Sequence, residues 1–459
     1  MKVKALSRSQ QSTQRECAGD LRKQSRNLDP VYHPMQRARE YTRAVTAAKI
    51  DRMFAHPLIG NLGNGHGDAV YHSCTSRASL LPLLSGSADG TVHLWDLPTR
   101  SCVATLNAHG QAIRGLVFGM DEDFYSCGND GTLRRWSVNQ ILAASSKTSE
   151  TETAKAPLDT WRIQGSFQSI DHHWAERQFI TSSDSAVQLW TPERSTPIQT
   201  HSNLWGSDDT VNIVRFNPAE PHLVANCSMD RGIGLHDLRT GSDMKKTVLR
   251  MRSNDLQWNP MEPLNFVVAN EDYQAYTFDM RRLQEPTHIY KGHTSAVMSV
   301  SWAPTGREFV TGSYDRTMRI FNLKTRNGFA RDIYHTKRMQ RVFTVNYTMD
   351  NKFIVSGSDD TNVRLWKARA SEQLGQLTTR EESAIQYRQA LIKKYEHLPE
   401  VRKIHMSRKI PKVIQKQTQQ AIIQKESAGR KQANRVKHSK PGEHKFTSER
   451  KKIVVKQID

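Results

Sequence analysis

Histidine, serine and aspartate stand in this chain at separations that could do nucleophilic chemistry. His66 precedes Ser85 and Asp89, and His293 precedes Asp315. A serine activated by a histidine that an aspartate orients is the arrangement of acyl transfer. The sets recur, however. An aspartate sits six residues before a large ring side chain at Asp89/Trp95, Asp130/Trp136, Asp184/Trp190, Asp230/His236, Asp272/Phe278, Asp315/Phe321 and Asp360/Trp366. The ring positions are 41, 54, 46, 42, 43 and 45 residues apart. A period of this length marks a repeat architecture. A trio that returns in copy after copy is a structural signature and not a catalytic centre. His172-His173 is the one histidine pair, with Asp171 before it and Trp174 after it, and it lacks metal-ligand spacing. No G-x-x-x-x-G-K-[ST], G-x-S-x-G or H-E-x-x-H is present. The sequence therefore predicts no enzyme, no cofactor and no metal site.

The elements that carry these residues read as strands. In the copy Leu84 to Asp96, Val92 and Leu94 fall on one face of an alternating run, as in a half-buried strand. Asp89-Gly90 is a tight-turn signal between two strands. Gly65-His66 and Gly292-His293 stand where earlier turns would begin. The third to fifth copies are weaker in wording but keep the aspartate-to-ring spacing. This resembles the WD-repeat β-propeller family, whose signature is a Gly-His and a Trp-Asp pair per four-stranded blade. The resemblance implies an all-β, seven-bladed propeller over about residues 53–370, with the seven rings at equivalent positions. It also implies that turn aspartates bond within the blade to an upstream histidine or serine, and that tryptophans pack between blades. Those structural roles fall on His66, Asp89, Trp95, Asp130, Trp136, Asp184, Trp190, His293, Asp315, Asp360 and Trp366. Closing the ring removes its sheet edges. Met53 to Leu62 is expected to supply the closing outer strand, with Gln373 to Leu377 as the competing segment. The long second interval predicts a mobile surface loop at about Ala143 to Pro157.

Charge divides the chain in three. Residues 1–54 hold 12 Lys+Arg and 5 Asp+Glu, and residues 371–459 hold 21 and 9. Of the totals of 66 and 46, 33 basic and 32 acidic residues remain for the middle. A neutral ring with two basic arms predicts polyanion contact at the arms, through counterion release and steering. The expected boundaries are a basic N-terminal arm at 1–52, the propeller at 53–370 and a partly helical basic extension at 371–459. No run of about 18 apolar residues exists, so no transmembrane helix is expected. The opening MKVKALSRSQ lacks the apolar segment of a secretory signal. The five cysteines are scattered without a C-x-x-C pair, which suits buried or incidental thiols in a reducing compartment.

The arms carry local signals. Thr379 to Glu382 reads as a capping box with Thr379 as N-cap, opening a helix that Pro399 ends. In Val401 to Ile414, basic pairs alternate with single apolar residues and no clean period. Arg402, Lys403, Arg408, Lys409 and Lys412 are the candidate phosphate contacts, with Ile404, Ile410 and Val413 as anchors on protein. Gln415 to Ala433 reads as a long polar helix, and the arm as a segment that orders on a partner. Residues 396–459, outside the repeats, are expected to add nothing to the ring's core. In the N-terminal arm, Arg37 to Ile50 reads as a helix. Tyr32 and Tyr41 lie among arginines, fitting either stacking on RNA or local packing.

Several segments point past a generic propeller: Asn27 to Pro34, Ile170 to Trp174, Trp258 to Glu262, Asn270 to Tyr273, Tyr334 to Gln340, Leu398 to Arg402 and Lys437 to Gly442. Together they resemble the Sof-type WD-repeat family over nearly the whole chain. That resemblance implies a non-enzymatic, nucleolar scaffold of the small-subunit processome, within the particle that contains U-three small nucleolar RNA and processes precursor ribosomal RNA. The implied partners are pre-rRNA or small nucleolar RNA and other processome proteins. In animals the family is also called the DDB-cullin-associated factor, which implies a second role as a ubiquitin-ligase substrate receptor. Its adaptor motif is W-D-x-R at the end of a blade strand. Asp237/Arg239 and Asp279/Arg281 keep Asp and Arg at that offset, without the tryptophan. They fit either adaptor contact or blade-edge salt bridges.

Overall fold

The computed structural model describes residues 27, 29–120, 122–146, 156–184, 186–202, 209–323, 328–440, 443–444 and 448–458. It divides into two compact units, one of residues 1–57 and 369–409, the other of residues 58–368 and 410–459.

The larger unit is a seven-bladed β-propeller. Its innermost strands are Val70–Thr75, Ile113–Phe118, Phe167–His172, Val211–Phe216, Ser253–Trp258, Val297–Trp302 and Val342–Tyr347. Each packs beside the next, and the last packs beside the first. Every blade is an antiparallel sheet of four strands, except the fourth, which has five. The seventh is completed by Leu58–Asn61, which pairs with Val363–Lys367. The chain's earliest strand thus bonds to its last repeat and closes the ring; residues 373–377 form no strand.

The seven rings of the repeat occupy one register position. Each lies on a blade's third strand, opposite the first or second residue of the second strand. The pairs are Trp95/Leu83, Trp136/Phe124, Trp190/Phe179, His236/Val224, Phe278/Phe266, Phe321/Phe309 and Trp366/Ile354. Where the partner is phenylalanine the two rings stack, with centroids 5.4 to 6.3 Å apart. Trp95 also reaches between blades. It shares a core cluster with Val70 of its own blade and Val355 and Val363 of the seventh. This burial of apolar rings between sheets is the main favourable term holding blade to blade.

In the six copies whose turn is described, the residue after the aspartate is left-handed. Gly90 has φ 83°, and a Cβ there would stand 2.1 Å from the His109 carbonyl oxygen, so only glycine fits. Arg231, Tyr273, Arg316 and Thr361 take the same place with φ between 63° and 70°. The fourth to seventh copies thus keep the turn geometry without the glycine that advertises it.

The C-terminal extension does not stay apart from the ring. Val454–Ile458 pairs with Ser242–Leu249 as the fifth strand of the fourth blade. Ile453 is buried in the core cluster that holds Leu249, Leu256 and Phe266. This overturns the expectation that residues 396–459 contribute nothing to the propeller's core. The strand Ser242–Leu249 would otherwise present an open edge, and an unpaired edge recruits a partner strand. Glu449, just upstream, accepts from Lys291 Nζ and from Lys425 Nζ, each at 2.7 Å. Lys425 lies on the long helix Lys412–His438.

The smaller unit is helical. Its helices are α1 (Gln36–Met53), α3 (Thr379–Tyr395) and α4 (Pro399–Met406), counting as α2 the helix Val138–Ser146 of the propeller and as α5 the helix Lys412–His438. Ala44, Ala47 and Ala48 of α1 let Leu391 and Ile392 of α3 and Val401 of α4 approach closely, forming one core. Three sequence expectations change here. The capping box of α3 is one residue earlier, with Thr378 as N-cap and Glu381 at N3. Tandem Thr-Thr before tandem Glu-Glu offers both registers, and the chain takes the first. Pro399 opens α4 as its first helical residue, so Pro399 to Met406 is helix where the sequence showed no period. Finally, Ala143 to Ser146 belongs to α2 and is not loop; residues 147–155 of that interval lie outside the described residues.

Candidate functional site

The histidine, serine and aspartate sets are built into the blades as hydrogen-bonded chains. The most complete is in the second blade. Trp136 Nε1 donates to Ser126 Oγ at 3.0 Å, Ser126 Oγ lies 2.8 Å from His109 Nε2, and His109 Nδ1 lies 3.1 Å from Asp130. With Nδ1–H donating to the carboxylate, the serine hydroxyl donates to Nε2, and every polar atom of the chain is used. Burial keeps the His109 ring below its ordinary pKa, against the pull of Asp130. His109 was missed in the sequence because Ala108 replaces the expected glycine. Its place 21 residues before Asp130, against 22 for His293 before Asp315, would have found it.

The other blades satisfy the same aspartate differently. In the sixth, His293 Nδ1 is 2.9 Å from Asp315 and its Nε2 is 2.7 Å from Thr311. In the first, His66 Nε2 meets Ser85 Oγ at 2.6 Å while Nδ1 meets Thr91, and Thr91 in turn donates to Asp89. Burial holds His66 down to about 3. Trp95, Trp190 and Trp366 donate to Ser85, Thr181 and Ser356. In the third blade Ser166 bonds Asp184 at 2.7 Å. In the fourth, fifth and seventh the carboxylate partners are Lys246, Tyr276 and Arg364. A serine whose hydroxyl is committed to a buried imidazole and a tryptophan is not a free nucleophile. Among the described residues, no group of three His, Cys, Asp or Glu could hold a metal ion. Burial raises the Cys127 thiol to about 12, so it does not ionise near neutral pH.

Asp237/Arg239 and Asp279/Arg281 stand at matching places, where the third strand of the fourth and fifth blades ends. In each, the arginine's own backbone N–H donates to the aspartate, at 2.9 and 3.0 Å. The Arg281 guanidinium makes two bonds to Asp279, at 3.1 and 2.8 Å, and that of Arg239 lies 3.7 Å from Asp237. The side chains are 64% and 71% exposed, so both local ion pairs leave the cations available to a partner. Among the described residues no helix is long and apolar enough to cross a membrane.

The candidate phosphate contacts fall in both units. Arg402 and Lys403 are exposed on α4, Lys409 is exposed in the segment that follows, and Lys412 is exposed at the start of α5. Arg408 is half-buried and donates to the carbonyls of His405 and Ser407. Of the apolar anchors, Ile404 packs against the helical core and Ile410 is half-buried. Val413 is 67% exposed, and Ile414 is buried in its stead. Adjacent residues on a helix cannot share a face, and the sequence alone did not choose between them. Tyr41 is packed locally, edge-on to Tyr395 with its hydroxyl on Glu400, whereas Tyr32 is exposed.

The Sof1-like domain family matches residues 368–454, and the WD domain, G-beta repeat, matches residues 58–96, 100–137, 284–322 and 333–367. Similarity to known proteins extends from end to end. "Protein SOF1" of Saccharomyces cerevisiae is 40% identical over 470 residues, covering 99% of this chain and 94% of that one. This chain belongs to the Sof1-like WD-repeat family. Among its relatives, "DDB1- and CUL4-associated factor 13" of Danio rerio is 42% identical over 462 residues, 100% of both chains. The Homo sapiens protein of that name is 43% identical over 457 residues, 99% of both. The matched repeats are the first, second, sixth and seventh blades. The third to fifth, which keep only the spacing of Asp184, Asp230 and Asp272 from their rings, are the ones that have lost the wording of the family.

Proposed function

We propose that this protein is a non-enzymatic scaffold of the small-subunit processome in the nucleolus, needed for pre-rRNA processing and small ribosomal subunit assembly. In this reading the propeller binds other processome proteins and the basic extensions bind pre-rRNA or small nucleolar RNA. The observation that carries it is the full-length similarity to Protein SOF1, through the Sof1-like region as well as the ring. The separation of charge supports the RNA assignment, because the near-neutral repeats are flanked by segments rich in lysine and arginine. Arg402, Lys403, Arg408, Lys409 and Lys412 contact phosphate. Changing all five to alanine flattens the slope of log affinity against log salt by roughly three units or more, at about 0.7 per phosphate of single-stranded RNA. Fluorescence anisotropy over a salt series measures this. An unchanged slope, together with loss of no RNA in crosslinking and sequencing from cells, defeats the reading.

A second reading is favoured by one observation. Arg239 and Arg281 project from equivalent turns of adjacent blades, and two relatives are named as DDB1- and CUL4-associated factors. In this reading the two arginines bind the DDB adaptor of a cullin ligase. Arg239→Ala with Arg281→Ala then abolishes co-purification of the adaptor and leaves RNA binding intact. Retained co-purification rejects it.

A further inference from the structure

Every innermost strand of the propeller carries a β-bulge at its second residue. The ladder skips Tyr71, Arg114, Gln168, Asn212, Asn254, Met298 and Phe343 in successive blades. In each strand the first residue is buried and the bulged one accessible. A bulge re-aims a side chain. Here seven of them do so at the same level, at the channel edge that also bears the aspartate turns.

The seven are not evenly mixed. Blades three to five present amides, Gln168, Asn212 and Asn254. Blades six, seven, one and two present Met298, Phe343, Tyr71 and Arg114, and this arc is aromatic and cationic. Tyr71 meets Phe343 edge to face at 4.9 Å, and Tyr314, from the turn of the sixth blade, meets Phe343 at 5.7 Å. The Arg114 guanidinium lies over the Tyr71 ring at 6.0 Å, and that of Arg341 over Tyr314 at 5.4 Å. Arg114 and Arg341 are both exposed, as are Arg316 beside the turn and Lys337 and Arg338 on the loop that leads to Arg341. The chain of rings crosses three blades without a break.

We propose that this mouth binds single-stranded RNA, resting on the reading above that the protein is an RNA-bound scaffold and adding a site within the propeller. Flat guanidinium groups already laid on aromatic faces offer an outer face on which an unpaired base stacks, with further donors free to turn to phosphate. Across the channel, the Gln168 amide N–H groups donate to Ser166 and Asp184 and that of Asn254 to the Val297 carbonyl, so this arc offers chiefly its amide oxygens, as acceptors for base edges. An acidic peptide would use the cations and leave the rings and amides without a role.

The test uses the full chain. Affinity for a single-stranded oligouridine and for a duplex of the same length is measured for wild type, for Arg114→Ala with Arg341→Ala, for Tyr71→Ala with Tyr314→Ala, and for Tyr71→Phe with Tyr314→Phe. Thermal melting checks that each is folded. The proposal expects the arginine and the alanine-for-tyrosine variants to lose about tenfold or more in affinity for the single strand and little for the duplex, while the phenylalanine variant stays near wild type. It expects 4-thiouridine crosslinks on peptides containing Tyr71, Tyr314 or Phe343. Equal losses for both RNAs, or competition by polyglutamate as effective as by oligouridine, would mean a plain charge site and overturn it. Unchanged affinity in all mouth variants overturns it too. The fivefold variant of residues 402–412, measured in parallel, separates the two readings: loss there alone leaves the arms as the RNA site without the mouth, and loss at the mouth alone does the reverse.

Discussion

Lys291 Nζ donates to Glu449 Oε2 at 2.7 Å across 158 residues of sequence. The contact ties the end of the chain to the rim of the fifth blade. It sits at the entry to a strand that completes the fourth. The Lys291 hydrogen bond, and then that of Lys425, hold the Glu449 carboxyl down to about 2. The Sof1-like extension therefore ends as part of the propeller it follows.

Removing residues 448–459 should destabilise the ring. The deletion opens the edge of Ser242–Leu249 and takes Ile453 out of the core. Ile453→Ala alone should cost about 2 kcal/mol, the lower end for a buried isoleucine, since the strand around it stays in place. Glu449→Gln should cost under about 1 kcal/mol, because that carboxylate is half exposed. Urea unfolding of the three variants checks the order. A tail deletion as stable as wild type would mean that the strand is dispensable.

Ser126→Ala should cost about 1–3 kcal/mol. It leaves the Trp136 N–H and His109 Nε2 buried without the oxygen they share. The same change at Ser313, whose hydroxyl donates to the backbone carbonyls of Ser295 and Ala296 and accepts from the Asp315 backbone N–H at 3.2 Å, should cost less, because no buried side-chain donor loses its acceptor. Denaturant midpoints of the two variants compare them directly.

Acid should weaken the propeller before its carboxylates titrate. Burial lowers His66 and His72 to about 3, and lowers His109 and His293 as well. The unfolded chain binds protons at these rings from its ordinary pKa of about 6.5 downward, and the folded chain does not. The stability they contribute is whole above about 6.5 and falls with pH until the folded values are reached. Each ring contributes up to about 1.4 kcal/mol for every unit below 6.5. The urea midpoint should thus drop between pH 7 and pH 5, and His66→Gln should flatten that drop.

In the helical unit, Glu40 is buried and accepts from Lys394 Nζ at 2.8 Å and from the Tyr395 hydroxyl at 2.9 Å. Glu40→Ala leaves the Lys394 ammonium largely buried beside a lost partner, at a cost of about 3 kcal/mol. Hydrogen exchange should speed up in α1, α3 and α4 and stay unchanged in the propeller. A uniform change across both units would contradict this.

The repeat was legible in the sequence because its signal is local. Asp89 to Trp95 and its six counterparts lie within one turn and one strand, and that geometry dictates residue types at fixed offsets. The number of blades and the ring register follow from it, whereas the choice between Met53 to Leu62 and Gln373 to Leu377 for the closing strand was settled only by the pairing of Leu58 to Asn61 with the last repeat. The helices α1, α3 and α5 announced themselves through caps and polar runs, though α4 showed no period, α2 was expected in part as loop, and Thr378 and Thr379 were interchangeable as N-caps. What only the tertiary structure decided depends on distant partners. Ile453 and the strand after it read as a short β-branched run with no visible mate, since the open edge at Ser242 to Leu249 lies some 200 residues away. Nothing local marks Glu40, within the helix from Arg37, as buried; only folding sets Lys394 and Tyr395 against it. The aromatic arc of Tyr71, Tyr314 and Phe343 is drawn from the two ends of the repeat array. Ring closure alone brings those residues together, because a propeller seats its first and last blades side by side.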